Sequence, residues 1–319
     1  MNTSYGAPMH PFAIVGRIIA PPLAAARRLL TRWRLAALLL AALALTGCSV
    51  LRLAYSQAPA ALYWWVDGYV DLNDAQSAAL RQDIDRFAAW HRQDELPAYI
   101  GLLGTWQAMA PQNTTGAQSC AQYGALRAAV VRLADQGAEP LARVALQLSP
   151  AQLQHLERHH AKRNREFEKD FLRGTPTQRL QRRVDKAVDR YEMLYGRLSP
   201  EQVAQVRQGL RDAPFDAERL LAERRARQDE LLRLIRQLQA AQGGPLANGA
   251  AVPAPAVAAL RDWFVRGLPQ ADDPGAPWIA HGCAEYAALH NRTSAAQRER
   301  AVQVLKGYEA DLRALAAPA

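Results

Sequence analysis

An all-α fold, a multi-helix bundle, is predicted by three features of this 319-residue sequence. First, a Ser, Thr or Asn is followed three residues later by Gln at Asn73/Gln76, Ser149/Gln152, Thr175/Gln178, Ser199/Gln202 and Ser294/Gln297. In such a capping box the first side chain accepts from the N3 amide while Gln reaches back to the cap amide, and Pro150, Pro176 and Pro200 fall at N1, where no donor is needed. Second, apolar side chains recur at spacings of three and four: Leu80, Ile84, Phe87, His91; Leu180, Val184, Ala187, Tyr191, Leu194, Leu198; and Val302, Leu305, Tyr308, Leu312, Leu315. Third, no run alternates as a strand would between hairpin turns.

The chain opens with Arg27, Arg28, Arg32 and Arg34, then the apolar run Leu35 to Leu45, then small residues and Cys48. That run is too short to span a bilayer, and the order of the features is that of an export signal rather than of an anchor helix. Met1 lies far upstream and Pro21-Pro22 interrupts, which fits a long n-region or a start placed too early. Leu45-Thr46-Gly47-Cys48 resembles the lipobox of bacterial lipoproteins. The resemblance implies a signal peptide over residues 1–47, cleavage before Cys48 and diacylation of its thiol, with palmitate among the acyl chains. Ser49 in place of Asp implies sorting to the periplasmic face of the outer membrane.

Five of the 39 basic residues and none of the 30 acidic ones lie in that signal, so the whole-chain charge of +9 falls to +4 for the remainder. Mild basicity interleaved with acids is a solvated helical surface, and nucleic acid is excluded as a partner for a lipid-anchored envelope protein. The expected partners are the membrane, through the lipid, and an envelope protein or client polypeptide; an acidic glycan also suits the charge.

A first helix over Tyr55 to Val70 carries Leu62, Trp65 and Tyr69, with Pro59 in its first turn. Tyr63, Trp64 and Trp65 are within about 60 Å of chain from Cys48 at full extension, so they reach either the membrane interface or the core of the bundle. Further helices follow the caps, with shorter ones over Tyr99 to Ala110, Ala117 to Ala134, Pro140 to Leu148 and Val257 to Arg266. Residues 241–255, rich in Ala, Gly and Pro, read as a flexible linker between a lipid-anchored bundle (48–240) and C-terminal helices packed on it (256–319). Leu268 to Gly282, with three prolines, reads as a stiffer loop.

With Cys48 given to lipid, Cys120 and Cys283 remain as an even pair in an oxidising compartment. Their contexts match: Cys120-Ala-Gln-Tyr123-Gly-Ala-Leu126 and Cys283-Ala-Glu-Tyr286-Ala-Ala-Leu289. Either a degenerate duplication or chance in an Ala-rich chain produces this. A disulfide between them is predicted, against the alternative of two buried thiols.

Chemistry has few places to reside. The helix from Gln152 has a seam of Leu153, Leu156, His160, Asn164, Phe167 and Phe171, and the helix after Asp216 places Arg224 and Gln228 in its stripe. Facing each other, these seams form a polar layer or pocket of His160, Asn164, Glu166, Arg224 and Gln228, or simply set helix register. His155 and His159, one turn apart beside Glu157, are the candidates for a metal, against a solvated histidine face; His-Leu-Glu-Arg-His matches no zinc motif. No nucleophile elbow, P-loop or dinucleotide motif occurs, so no catalytic residue and no cofactor are assigned. The expectation is a non-enzymatic binding or envelope-maintenance protein, with a metal-dependent envelope hydrolase or a cell-wall glycan binder as alternatives.

Trp64-Trp65-Val66-Asp67-Gly68-Tyr69-Val70-Asp71-Leu72, Ala89 to Pro97, Arg163-Asn164-Arg165-Glu166-Phe167 and Leu198-Ser199-Pro200-Glu201-Gln202 carry a resemblance. The chain resembles an uncharacterised family of helical Gram-negative lipoproteins, a domain of unknown function, up to about Gln242. That implies outer-membrane anchoring and an all-helical fold, and supplies no activity. The two Leu-Ser-Pro-x-Gln runs are similar to the L-T-x-x-Q motif of periplasmic helical chaperones, with Ser for Thr.

Overall fold

In the computed structural model, which describes residues 50–317, the chain is helical and no strand occurs among the described residues. Residues 1–47, expected to form a signal, and Cys48 lie outside the described residues. The helices are α1 (Val50–Val70), α2 (Asp74–Trp90), α3 (Leu96–Met109), α4 (Gly116–Gln147), α5 (Pro150–Phe171), α6 (Pro176–Tyr195), α7 (Pro200–Asp212), α8 (Ala217–Ala241), α9 (Ala254–Arg266), α10 (Pro277–His290) and α11 (Ala295–Ala316). All five anticipated capping boxes start helices, with both reciprocal bonds present at each. A sixth, Thr115/Gln118, starts α4.

Several boundaries differ from those expected. Residues 116–147 form one 32-residue helix with Pro140 inside it. Proline removes a backbone donor, at a cost of about 3 kcal/mol in a free helix. Burial of Ala138, Ala142 and Val144 on either side, with Arg143 reaching the buried Asp83, keeps the helix going. Pro59 likewise lies within α1, which begins at Val50. The C-terminal part of the presumed proline loop is helical from Pro277, which takes the first-turn position of α10. Between α2 and α3 the chain widens into a π-turn, His91–Glu95, which turns Glu95 inward to a two-pronged pairing with Arg132 (2.5 and 2.9 Å).

Packing divides into two cores. The first joins α1, α2, the C-terminal half of α4, α5, α8 and α9 around Val66, Ile84, Leu148, Leu156, Ile235 and Leu260. The second joins α3, α6, α7, α10 and α11 around Leu103, Tyr195, Val206, Leu289 and Leu305. Helix α4, about 48 Å long at 1.5 Å per residue, packs on α10, α9, α2 and α8 and so serves both. The segment after α8 lies over the end of α4: Leu246 N–H donates to the Leu146 carbonyl (2.8 Å), and Val252 packs on the first core.

A pair of glutamines fastens each core. The Nε2 of Gln76 donates to the Gln147 carbonyl (3.0 Å) and to Gln152 Oε1 (3.3 Å), while Gln152 donates to the Asp71 carbonyl (2.8 Å) and to Gln76 Oε1 (2.7 Å). Gln202 and Gln297 repeat this through the Arg292 and Arg197 carbonyls (3.0 and 3.1 Å) and each other (2.9 and 3.0 Å). In each case the carbonyl is two residues before the partner's cap. Since every one of these oxygens also accepts from its own cap amide, four primary amides are fully satisfied. Capping boxes therefore join helices here as well as starting them.

Candidate functional site

At the α5–α8 contact three of the five expected polar residues, Asn164, Arg224 and Gln228, bond to one another. Asn164 is buried; its amide donates to Gln228 Oε1 (2.8 Å), and its Oδ1 accepts from Arg224 Nε (2.9 Å) and Gln228 Nε2 (3.3 Å). Glu166 points elsewhere and pairs with Arg163. Beside the network, His160 lines a recess of about 340 Å³ together with Glu157, Arg225 and Asp229. Its Nδ1 is buried and has no hydrogen-bond partner among the described residues. Burial, with His159 and Arg224 adding like charge, pushes the His160 pKa down to about 4, so the ring is neutral at pH 7.

The three metal candidates are engaged separately. His155 Nε2 donates to the Gly68 carbonyl (3.3 Å), His159 stacks on Tyr69 with ring centroids 3.9 Å apart, and Glu157 pairs with Arg236. Among the described residues no group of three or more His, Cys, Asp or Glu is arranged to hold a metal.

A larger cavity, which sequence reasoning missed, lies against the second core. It encloses about 580 Å³ between α3, α4, α6, α10 and α11, and its walls include Trp106, Tyr123, Tyr195, Trp278, Tyr286 and Tyr308. That volume lies in the range of small-molecule sites, and the lining is predominantly aromatic and aliphatic, as such sites require. Cys120 and Cys283 form a disulfide with Cα atoms 5.3 Å apart, which ties α4 to α10 at the cavity wall. The matched segments are therefore opposing walls: Tyr123 follows Cys120 on α4 and Tyr286 follows Cys283 on α10, and both rings line the cavity.

Polar groups in this wall are mostly satisfied internally. Trp106 Nε1 donates to Gln122 (2.9 Å) and the Tyr123 hydroxyl to the Pro269 carbonyl (2.9 Å). His290 Nε2 lies 2.7 Å from the Gln112 carbonyl, so this nitrogen carries the proton and Nδ1 accepts from the Tyr195 hydroxyl at 2.8 Å. The Tyr286 hydroxyl lies 3.1 Å from that of Tyr195. Burial and the neighbouring tyrosines raise the Tyr195 pKa, and burial lowers that of His290, so both are neutral at pH 7. Neutral, internally bonded groups on an apolar wall suit binding better than proton transfer.

Helix α1 presents a further surface. Tyr63 is buried under Arg81, whose guanidinium sits 3.5 Å over its ring, whereas Trp64 and Trp65 are 64 % and 58 % exposed. Tyr63 thus takes the core environment, while its neighbours Trp64 and Trp65 face outward. Val50 (83 % exposed) and Leu53 (64 %) extend the exposed apolar surface to the start of the helix. Among the described residues no helix is long and apolar enough to cross a membrane.

The chain belongs to a family of unknown function, DUF6279, whose model matches residues 68–244. No curated protein and no solved structure matches it. The matched stretch contributes Trp106, Tyr123 and Tyr195 to the cavity; α10 and α11, which supply Trp278, Tyr286 and Tyr308, lie beyond it.

Proposed function

Starting from that membership, we propose that this protein is a non-enzymatic binding protein, held by a lipid on Cys48 at the periplasmic face of the outer membrane, which takes an apolar ligand in the cavity between α3, α4, α10 and α11. The observation that carries the reading is the 580 Å³ aromatic-walled cavity whose polar groups are bonded to one another and electrically neutral. The anchor is supported by the arginine-flanked run ending in Leu45-Thr46-Gly47-Cys48 and by the uncharged exposed face of α1, Val50 to Trp65, which starts two residues later. Tryptophans on such a face favour the interfacial layer of a bilayer.

Two measurements test the two halves of this reading. Cys48→Ala is expected to abolish incorporation of labelled palmitate and release the protein on carbonate extraction; retention of both would refute the anchor. For the cavity, an uncharged apolar photoprobe is expected to label peptides containing Trp106 or Tyr286 with saturable dose dependence. Labelling spread evenly over the surface would remove the binding role.

A further inference from the structure

The cavity just described has a neighbour. A second recess of about 440 Å³ lies on the other flank of α10, against α6 and α7, and Trp278 and Gly282 line both. These two residues are one helical turn apart, so they form one edge of α10, the edge that separates the two spaces. A Cβ added at Gly282 would meet nothing within 4 Å, so the edge has a gap there.

The second recess differs in charge from the first. Arg183, Lys186 and Arg190 line it against one carboxylate, Glu285. Lys186 is shared with Asp170 (3.4 Å), while Arg183 and Arg190 make no ion pair among the described residues. Arg183 is held half-buried with its guanidinium 4.3 Å over the Phe215 ring, an arrangement that fixes a cation without neutralising it. An apolar space and a cationic space on either side of a glycine are complementary to a molecule with a tail and a negative head. The rim also lies close to the start of the described chain. Arg52 of α1 pairs with Asp311 (3.2 Å), one turn from the exposed Tyr308 at the cavity wall. At most about 14 Å of chain separates Arg52 from Cys48.

We propose that the two spaces form one site for a single-chain anionic amphiphile of the fatty-acid class, its alkyl chain among Trp106, Tyr286 and Leu305, its path over Gly282, and its carboxylate on Arg183 and Arg190. The proposal rests on the cavity reading above and adds to it the headgroup, and with it the ligand class. A lipid anchor at Cys48 would place this site beside a source of such molecules.

The test uses the full lipid-anchored protein in phosphatidylcholine vesicles, with diazirine-bearing dodecanoate and diazirine-bearing dodecyltrimethylammonium as photoprobes of equal chain length. Dodecanoate is expected to label cavity peptides preferentially, and Arg183→Gln to weaken its half-saturation about tenfold, the factor associated with one charge-assisted contact. Gly282→Phe, which fills the gap, is expected to abolish the preference for dodecanoate over the cationic probe, with circular dichroism checking that the variant is folded; a preference unchanged in Gly282→Phe would overturn the path over residue 282. Equal labelling by the two probes, unchanged in Arg183→Gln, would overturn the headgroup assignment while leaving the apolar cavity as a binding site. Absence of cavity labelling by either probe would overturn both.

Discussion

The two cores are fastened by the same device and filled differently. In each, two capping glutamines exchange amide bonds and donate to carbonyls before one another's caps. Yet the first core closes over Val66, Ile84, Leu148, Leu156 and Ile235, aliphatic side chains that interdigitate, while the second is bordered by aromatic rings that leave a cavity. What sets helix order and crossing is thus separable from what sets the contents. A chain can retain one joint and vary the interior, and the proposed binding role falls to the half whose walls are aromatic and covalently tied.

The largest expected effect breaks the second core. Cys120→Ser with Cys283→Ser removes a link between residues 163 apart, which in the chain-entropy model is associated with about 5 kcal/mol. Urea unfolding with and without reductant should reproduce this for the native protein and show no reductant effect in the variant. The exposure of Tyr286 to iodination should rise while that of Tyr63, in the first core, should not.

Next comes the glutamine joint. A capping box accepts Glu as readily as Gln, but a carboxylate cannot donate to a carbonyl. Gln202→Glu is therefore expected to cost about 1–3 kcal/mol, because the Arg292 carbonyl and Gln297 Oε1 lose their donor. Gln76→Glu should match it in the first core. Gln178→Glu, in an exposed box that joins nothing, should stay within about 0.5 kcal/mol. Equal effects at positions 178 and 202 would mean that the glutamines only cap.

A smaller effect belongs to the polar layer beside the first core. His160 has its pKa depressed in the folded protein, to about 4 from the usual 6.5, so the unfolded chain binds the extra proton as pH falls through this window. Its contribution to stability is present above pH 6.5 and is lost as pH falls towards 4. His160→Leu should flatten the acid side of the stability profile between these values and raise stability at pH 5. Asn164→Leu should instead destabilise, since Arg224 and Gln228 bond to that amide. Smallest of all, Gly282→Ala should stabilise α10 by about 0.5–1 kcal/mol, the helical advantage of Ala over Gly, because the added methyl meets no neighbour.

Much of this fold was legible in the sequence because it is local. Five helix starts followed from a cap oxygen and a Gln three residues on, and the sixth, Thr115-Gly116-Ala117-Gln118, carries the same pattern without the proline that marks three of the others. Continuity of α4 through Pro140 was not legible, since it depends on burial contributed by other helices. The exchange of glutamines was hidden for the same reason: a capping box looks identical whether or not a second one approaches it. The polar seam was readable as spacing, and so were the three residues that bond within it, but His160 lies beside the network and Glu166 faces away and meets Arg163. The cavity could not be read, because its walls come from five helices. Its trace was the repeated Cys-Ala-x-Tyr, which identifies two of the walls and the bond between them.

The cores are interleaved along the chain. The first takes α1, α2, α4 and α5 and then waits for α8 and α9; the second takes α3, α6 and α7 and waits for α10 and α11. Neither half of the chain therefore contains a finished interior. A fragment ending at residue 244, where the family match stops, lacks Leu260 from one core and Leu289, Ala301 and Leu305 from the other; it keeps the Gln76–Gln152 joint but leaves Gln202 facing water where Gln297 belongs. Dissection into halves thus yields two pieces, each with both interiors unfilled.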